Sequence, residues 1–274
     1  MNNQMNGESI NTHYGRAGLS DLIFEALRQT GRDVENLSAE DLTPVDHFHT
    51  RGLAATEELA ERAGIEKGAE VLDVGGGIGG AARFLARQFG CRVTVLDLTE
   101  EYCAAGELLT ARTGLGKLVE FRCGNALEMP FPKESFDLVW TQHSSMNIAD
   151  KPALYAEIHR VLRPGGRFAL HEIMGGENGP VYFPVPWATE GSDSFLKKPE
   201  MVRDMIKEAG FGEIDWRDET ALAVEWFQRS PKTEPPPLGL HLLLGENFSE
   251  MFRNQVRNLN ENRVTVIQGI FEKQ

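Results

Sequence analysis

One stretch of the chain, from Glu70 to Asp97, restricts the fold more than any other. It reads as a buried strand, a turn with five glycines, a helix that ends at Gly90 and a second apolar strand. Glycine allows a tight turn and lets a ligand approach the backbone closely. A carboxylate at the end of the second strand can bind ribose hydroxyls. The stretch therefore predicts a βαβ unit that binds a nucleoside cofactor.

The pattern of alternating strands and helices continues to residue 173, which predicts an α/β fold with a doubly wound, mostly parallel sheet. Further strands are predicted over Phe211–Arg217 and Val264–Phe271, which gives seven in all. We expect an N-terminal helical cap over 1–66 and a core over 67–274. Within the cap, the acidic, proline-containing segment 33–46 reads as a connector. Two long interruptions of the core pattern, 175–198 and 218–262, predict lid segments.

The composition excludes several classes of protein. A formal net charge of −13 disfavours nucleic acid and anionic membranes as partners. The three cysteines are scattered, so neither a disulfide framework nor a zinc site is indicated. Asp46, His47 and His49 lie together but lack further ligands at a metal-binding spacing, so no metal is expected. Without a leader-like start or a long apolar run, we expect a cytoplasmic protein.

By its own pattern the glycine turn fits two cofactors. Gly75–Gly80 satisfies the G-x-G-x-x-G fingerprint, and Asp97 follows 17 residues later (97 − 80), which favours NAD. Other features favour a different nucleoside. Asn125–Ala126 supplies an amide and a backbone N–H where an adenine edge would lie, and Arg163–Gly166 breaks a helix sharply before the fifth strand.

Together these motifs resemble the class I S-adenosylmethionine-dependent methyltransferases. Asp73-x-Gly-x-Gly-x-Gly79 is similar to the first motif of that family, and Asp97 to its acidic ribose ligand. Gly124-Asn-Ala126 resembles the adenine segment, and Leu162-Arg-Pro-Gly-Gly166 the late motif. Asn125 stands where Asp is usual, and its amide oxygen can still accept a hydrogen bond from adenine. The resemblance implies a Rossmann-like sheet of order 3-2-1-4-5-7-6 whose seventh strand is antiparallel.

The resemblance also implies how S-adenosylmethionine binds. The glycine turn would hold the methionine end, and Gln142 either holds the amino-acid end or only satisfies the loop backbone. The residues assigned to the cofactor are Gly75, Gly76, Gly77, Gly79, Asp97, Leu98, Asn125, Ala126 and Gln142.

Within the family, His47-Phe-His-Thr-Arg-Gly-Leu-Ala-Ala-Thr56 resembles the sarcosine and dimethylglycine methyltransferases, and the core resembles those of quinone biosynthesis. This implies a small-molecule acceptor and favours nitrogen slightly over oxygen or carbon. The acidic surface and the lids agree with an enclosed pocket for a small molecule. A homodimer is left open.

Methyl transfer requires alignment of donor and acceptor, exclusion of water and, for some acceptors, removal of a proton. The candidate catalytic residues are His143 after the fourth strand, Glu172 in the fifth strand and Tyr14 near the N-terminus. Each has a structural alternative: His143 can orient a loop, Glu172 can form a structural pair, and Tyr14 can simply pack.

The candidate substrate-binding residues are His49, Arg51, His171, Tyr182 and Trp187. Arg51 is a candidate partner for an anionic group, and the two aromatic residues either form a wall or cation–π cage for the acceptor or anchor the lid. Because neighbouring residues of a strand face opposite sides, at most one of His171 and Glu172 is expected to face the site.

The interpretation is therefore a methyltransferase that acts on a small molecule by in-line displacement. Two other functions stay open at this point: a non-catalytic protein that binds S-adenosylmethionine, and an NAD-dependent oxidoreductase.

Overall fold

The computed structural model describes residue 15 and residues 18–229, 236–245 and 247–274. Within these ranges seven strands form one sheet. The strands are β1 (Glu70–Val74), β2 (Arg92–Asp97), β3 (Val119–Cys123), β4 (Phe136–Gln142), β5 (Leu162–Gly175), β6 (Phe211–Asp218) and β7 (Val264–Lys273).

The strand order is β3-β2-β1-β4-β5-β7-β6. Strands β1 to β5 pair in parallel, and β7 runs antiparallel to both β5 and β6. This confirms the predicted Rossmann-like sheet and its antiparallel last strand. In such a sheet the order reverses between β1 and β4, and the carboxyl ends of the strands form the ligand-binding edge.

Helices cover both faces of the sheet. In chain order they are α1 (Leu19–Gln29), α2 (Ala39–Asp46), α3 (Gly52–Ala63), α4 (Gly80–Phe89), α5 (Glu100–Arg112), α6 (Lys151–Val161), α7 (Pro199–Glu208), α8 (Thr220–Arg229), α9 (His241–Leu244) and α10 (Phe248–Asn260). No helix among the described residues combines the length and the apolar character that crossing a bilayer requires.

The core divides into two layers because the parallel strands are buried on both faces. One layer packs α6 and α7 against the sheet through residues such as Ile158 and Ile206. The opposite layer packs α3 and α4 through Leu59 and Leu85. Two smaller clusters lie above the ligand-binding edge: one joins α1, α2 and α5, and the other joins α8, α10 and the loop at Trp187.

The connector predicted over 33–46 is wrong in its second half, which forms α2. Ser38 caps this helix: its hydroxyl accepts a hydrogen bond from the Asp41 N–H, while the Asp41 carboxylate accepts one from the Ser38 N–H. Pro44 lies within the helix, where it would ordinarily be disruptive. The capping box and the burial of Leu42 and Val45 offset that cost.

The division into an N-terminal cap and a core with two lids stays a prediction. The described parts of the second predicted lid, 218–262, include α8 and α10, which pack against each other. The position of these helices matters for the site described next.

Candidate active site

The glycine turn after β1 is built for close approach of a ligand to the backbone. Gly75, Gly77 and Gly79 have φ values of 71°, 57° and 83°, a region that side chains with a Cβ rarely occupy. A Cβ on Gly76 would lie 2.6 Å from Asp73 Oδ2, and one on Gly79 would lie 2.5 Å from the Phe121 ring. A side chain at Gly76 or Gly79 would therefore clash with its neighbours, and the positive φ values favour glycine at Gly75, Gly77 and Gly79.

Asp97, at the end of β2, faces this turn. Its Oδ2 accepts a hydrogen bond from the Gly77 N–H at 2.8 Å, and its Oδ1 accepts one from the Thr99 N–H at 2.9 Å. A carboxylate oxygen can accept more than one hydrogen bond, so both oxygens keep capacity for ribose hydroxyls. The residues present fit the nucleoside end of S-adenosylmethionine.

A second buried carboxyl, Asp73, lies beside Asp97. Burial, and secondarily the charge of Asp97, raise the pKa of Asp73 to about 7. Burial also raises the pKa of Asp97, but hydrogen bonds from Thr99 and Gly77 counteract this. Asp73 Oδ2 has no hydrogen-bond partner, whereas Asp97 accepts two backbone N–H bonds that stabilise its charged form, so Asp97 is the carboxyl better suited to carry the negative charge.

The adenine segment and the residue after Asp97 lie along the same edge. Asn125 is exposed, and its Oδ1 accepts a hydrogen bond from the Leu127 N–H at 2.9 Å. Ala126 packs against the core, and the carbonyl of Leu98 lies 3.6 Å from the Cys123 sulfur. The predicted contacts of these three residues with the cofactor stay predictions.

Gln142 ends β4 close to the turn. Its Oε1 accepts hydrogen bonds from Trp140 Nε1 at 3.0 Å and from the Thr56 hydroxyl at 3.3 Å. Its Nε2 is buried and has no partner. The side chain is thus fixed through its oxygen, and its amide donors are left for a ligand such as the carboxylate of the cofactor.

His143 follows Gln142 and leaves the strand in a left-handed conformation, with φ of 49°. Its N–H donates to the His171 carbonyl at 2.8 Å, and its ring stacks on the His171 ring at 4.9 Å between centroids. The ring atom Nε2 is buried without a partner. Ser144, the next residue, is close enough to Gly75 to clash with any Cβ placed there. His143 therefore lies directly beside the glycine turn.

His49 completes a cluster of three histidines. Its ring centroid lies 6.0 Å from that of His143 and 5.7 Å from that of His171. Its Nε2 lies 2.9 Å from the Thr56 hydroxyl, and His171 Nε2 lies 3.0 Å from the Thr50 carbonyl. The sequence assigned His143 a catalytic role and His49 and His171 a substrate-binding role, and the structure brings all three together.

Burial controls the charge of this cluster. Desolvation lowers the pKa of His49 and of His143 well below the usual range, and it lowers that of His171 to about 4. The histidines also repel one another as cations. All three rings are therefore neutral at physiological pH.

Glu172 supports the loop after β4. Its carboxylate accepts a hydrogen bond from the Ser145 N–H at 3.2 Å, and the Ser144 N–H lies 3.5 Å away. Burial raises the pKa of Glu172. The ammonium of Lys151 donates to the Ser145 carbonyl at 2.8 Å, and burial lowers the pKa of this lysine to about 8. These contacts favour the structural reading of Glu172, and its catalytic role stays a prediction.

A pocket opens on the side of His143 away from the core. Its empty volume is about 470 Å³, counting the solvent at its mouth. It is lined by Phe48, His49, Thr50, His143, Met146, Ile173, Pro186, Trp187, Trp226, Phe227, Leu240, Phe252 and Gln255. We call this the acceptor pocket: its lining comes from the loop before α3, the loop after β4, β5, the loop at Trp187, Leu240, and helices α8 and α10.

The remaining substrate candidates differ in where they lie. Trp187 lines the acceptor pocket, and its Nε1 donates to the Ser194 hydroxyl. Arg51 is 8% exposed and pairs with Glu219 at 2.6 Å and with Glu58, so two carboxylates already compensate its charge. Its predicted contact with an anionic substrate group stays a prediction.

Tyr182 lies outside the set of residues that line the acceptor pocket. Its ring is covered by the guanidinium groups of Arg257 at 3.6 Å and Arg263 at 4.0 Å. This arrangement matches the lid anchor that the sequence offered as an alternative. Tyr14 lies outside the described residues.

Sequence reasoning missed the wall of the pocket that α8 and α10 contribute. Trp226, Phe227, Phe252 and Gln255 come from segment 218–262, more than 80 residues after His143 (226 − 143 = 83). The neighbouring pair Trp226-Phe227 in an otherwise mixed helix is the one signal that points to a function there.

Residues 72–170 match the family described as a methyltransferase domain. The chain is 29% identical over 198 residues to a sarcosine/dimethylglycine N-methyltransferase of Halorhodospira halochloris, covering 72% of this chain and 70% of that protein. It is also 36% identical over 159 residues to a sterol 24-C-methyltransferase of Eremothecium gossypii. That match covers 56% of this chain and 43% of the relative, so the chain spans less than half of the sterol enzyme.

The fold is shared with a solved geranyl diphosphate C-methyltransferase from Streptomyces coelicolor. The two superpose with a TM-score of 0.71 at 15% identity, over 100% of this chain and 99% of that one. That protein was solved with S-adenosyl-L-homocysteine, Mg2+ and geranyl-S-thiolodiphosphate. At this level of identity the likeness concerns the fold, and the acceptors of these relatives differ widely.

Proposed function

We propose that this chain, which belongs to the class I S-adenosylmethionine-dependent methyltransferases, methylates a nitrogen atom of a small molecule bound in the acceptor pocket. One observation supports this most directly. The neutral ring of His143 lines the acceptor pocket beside the glycine turn and keeps Nε2 without a partner.

The cofactor of this family is S-adenosylmethionine, and the turn fits it. When bound, it supplies a sulfonium methyl group that is electrophilic without further activation. Asp97 would accept hydrogen bonds from the ribose hydroxyls, and the amide donors of Gln142 would bind the carboxylate. The glycine backbone would lie against the methionine end, because a Cβ on Gly75, Gly76 or Gly79 would clash with neighbouring atoms and these positions stay bare.

The chain's own contribution to catalysis is orientation in a dry site. A neutral amine attacks through its lone pair, so its N–H must point away from the methyl group. Nε2 of His143 can accept a hydrogen bond from that N–H. Because desolvation keeps the histidine cluster neutral, it does not repel the cationic donor or the ammonium product. The same apolar surroundings lower the pKa of a bound amine and favour its reactive form.

Two features favour nitrogen over oxygen or carbon. The relative from Halorhodospira halochloris is named as an N-methyltransferase over a match that covers most of both chains. The aromatic side chains of Trp187, Trp226 and Phe252 offer ring faces for a cationic product. Oxygen and carbon acceptors are the alternative outcomes of the experiment.

Incubation of the purified chain with S-adenosylmethionine and a panel of amines, alcohols and activated carbon acids tests the proposal. We expect mass addition of one methyl group to an amine, together with release of S-adenosylhomocysteine. Cofactor binding with no transfer to any acceptor would indicate a non-catalytic binding protein. Tight binding of NADH with no binding of S-adenosylhomocysteine would indicate an oxidoreductase and overturn the proposal.

A further inference from the structure

We propose that the acceptor has an apolar body without a carboxylate, phosphate or other fixed charge. It carries one neutral polar group that donates a hydrogen bond to Oε1 of Gln255 and accepts one from Nε2 of Gln255. This inference rests on the proposed function, because it assigns the molecule that the acceptor pocket takes.

Gln255 is the buried side chain that most needs a partner. It is 2% exposed and lines the acceptor pocket from α10. Neither its Oε1 nor its Nε2 has a hydrogen-bond partner. Leaving a buried donor or acceptor unpaired is costly, so such groups are usually satisfied by the protein, water or a ligand. An amide with both ends unpaired in a ligand pocket indicates a ligand that pairs with both.

Two other buried amides, on α10 and on β7, are satisfied within the protein. Asn258, one turn further along α10, is fully buried, and its amide bonds the backbone N–H and carbonyl of Tyr182. Gln268 is also fully buried and donates to the Ala55 carbonyl. Gln255 departs from this pattern at the one position that faces the acceptor pocket.

The walls around Gln255 disfavour fixed charge. Most of them are aromatic or aliphatic, among them Phe48, Trp226, Phe227 and Phe252. Among the described residues, no Asp, Glu, Lys or Arg lines the acceptor pocket. Burial of a carboxylate or phosphate without a counter-ion is strongly unfavourable. For an acceptor with a carboxylate or phosphate, the free-energy cost of desolvating that group would exceed the free energy gained from the apolar contacts.

Nearby cations are already engaged. Arg51 pairs with Glu58 and Glu219, and Lys151 donates to backbone carbonyls of the loop after β4. The neutral histidines add no positive charge. The site therefore lacks a described group that would bind an anionic acceptor in exchange for its hydration.

The unpaired amide also limits the polar group of the acceptor. A side-chain amide offers a carbonyl oxygen that accepts and an NH2 that donates. A hydroxyl or a carboxamide satisfies both ends, whereas an ether or a plain hydrocarbon leaves one or both unpaired. The inferred class is a neutral amine with an apolar or aromatic body and one hydroxyl or carboxamide.

Calorimetry on the full chain saturated with S-adenosylhomocysteine tests this with four probes. Tyramine and phenethylamine differ by one hydroxyl, and sarcosine and phosphoethanolamine carry a carboxylate and a phosphate. We expect tyramine to bind about 10-fold tighter than phenethylamine, since one buried hydrogen bond distinguishes them. The two anionic probes should bind at least about 10-fold more weakly than tyramine.

The variant Gln255→Leu should remove the difference between tyramine and phenethylamine. Gln228→Leu makes the same chemical change at an exposed position of α8 and should preserve the difference. If Gln255→Leu fails to fold, Gln255→Met replaces it, and this variant should likewise bind tyramine and phenethylamine with equal affinity. A preference for tyramine that survives in the Gln255 variant, tighter binding of an anionic probe, or binding of none of the four overturns the inference.

Failure of this inference differs from failure of the proposed function. Methyl transfer is measured separately, by mass addition with S-adenosylmethionine. A chain that binds tyramine in a Gln255-dependent manner but transfers no methyl group contradicts the proposed function alone. A chain that methylates sarcosine efficiently contradicts the inference alone.

Discussion

The candidate site has two sides, the Asp73–Asp97 pair at the glycine turn and the histidine cluster beside it, and desolvation changes the charge of each side differently. Burial raises the pKa of both carboxyls and lowers the pKa of all three imidazoles. On the carboxyl side, two backbone N–H groups hold the negative charge on Asp97. On the histidine side burial is the largest cause of each shift, and on His171 it outweighs the opposing charge of the Glu58 carboxylate, so the cluster stays neutral.

This difference explains how one site can hold a cationic cofactor beside its acceptor. Under the proposed function, Asp97 would be the charged acceptor for the ribose hydroxyls, and the neutral histidine rings would lie beside the cationic methyl donor and product. Desolvation favours the neutral form of a buried group, whereas hydrogen bonds to the charged form or a nearby opposite charge preserve the charge. The predictions below test each half of the comparison.

Asp97→Ala should have the largest effect. It removes the acceptor of the ribose hydroxyls, and the loss of two charge-assisted hydrogen bonds amounts to about 3 kcal/mol, or more than 100-fold in affinity. Titration calorimetry with S-adenosylhomocysteine measures this. Affinity that stays unchanged would refute the ribose assignment. Asp97→Asn retains one acceptor oxygen, so its affinity for S-adenosylhomocysteine should lie between that of the unmodified chain and that of Asp97→Ala.

The pH dependence of stability should have opposite signs on the two sides. An unfolded histidine titrates near 6.5, and His171 in the folded chain near 4. In this window the unfolded chain binds the extra proton, so the contribution of His171 to the free energy of unfolding falls as the pH drops. Asp73 titrates at about 7 when folded and near 3.9 when unfolded, so its contribution rises as the pH drops.

Denaturant unfolding of His171→Gln and Asp73→Asn at pH 7 and pH 5 separates these contributions. As the pH drops from 7 to 5, the free energy of unfolding of the unmodified chain should fall by about 2 kcal/mol relative to that of His171→Gln. Over the same range it should rise by about 2 kcal/mol relative to that of Asp73→Asn. Differences of the same sign for both variants would contradict the comparison.

His143→Asn should lower kcat by about 10-fold, because it removes the acceptor for the N–H of the substrate. Asparagine tolerates the left-handed conformation at this position, so the backbone is preserved. Affinity for S-adenosylhomocysteine should stay unchanged. The matched control is His47→Asn, a neighbouring histidine that does not line the acceptor pocket. An unaltered kcat in His143→Asn would remove this residue from the catalytic site.

The smallest effect is expected for Asp73→Asn. If Asp73 already holds a proton, the amide reproduces its charge and shape, and cofactor affinity should change by less than about 3-fold. The same titration calorimetry measures this. A loss comparable to that of Asp97→Ala would show that the negative charge lies on Asp73 and would reverse the assignment within the pair.

Much of the fold was predictable because it follows from local patterns. The alternation of strands and helices, the glycine turn and the order of the sheet all correspond to short sequence signals, and the structure confirms them. Helix α2 was missed because Pro44 and the acidic residues outweighed a capping box that involves only Ser38 and Asp41. Strand β5 begins at Leu162, earlier than the break at Pro164–Gly166 indicates, since this segment pairs beside β4.

The candidate site was predictable only in part. The cofactor edge lies within residues 73–142, and its members are recognisable from motifs that the backbone geometry requires. The acceptor side combines His49, His143 and His171 with aromatic residues of α8 and α10. These residues carry no shared spacing, because their contacts depend on how distant segments pack.

By itself, the sequence determined the sheet, the glycine turn and Asp97, since each is specified by residues close together along the chain. Only the tertiary structure decided that three histidines meet, that their charge is lost, and that Gln255 is buried without a partner in the same pocket. Burial and partnership are properties of packing between segments as far as 206 residues apart (255 − 49 = 206), and no local pattern encodes them.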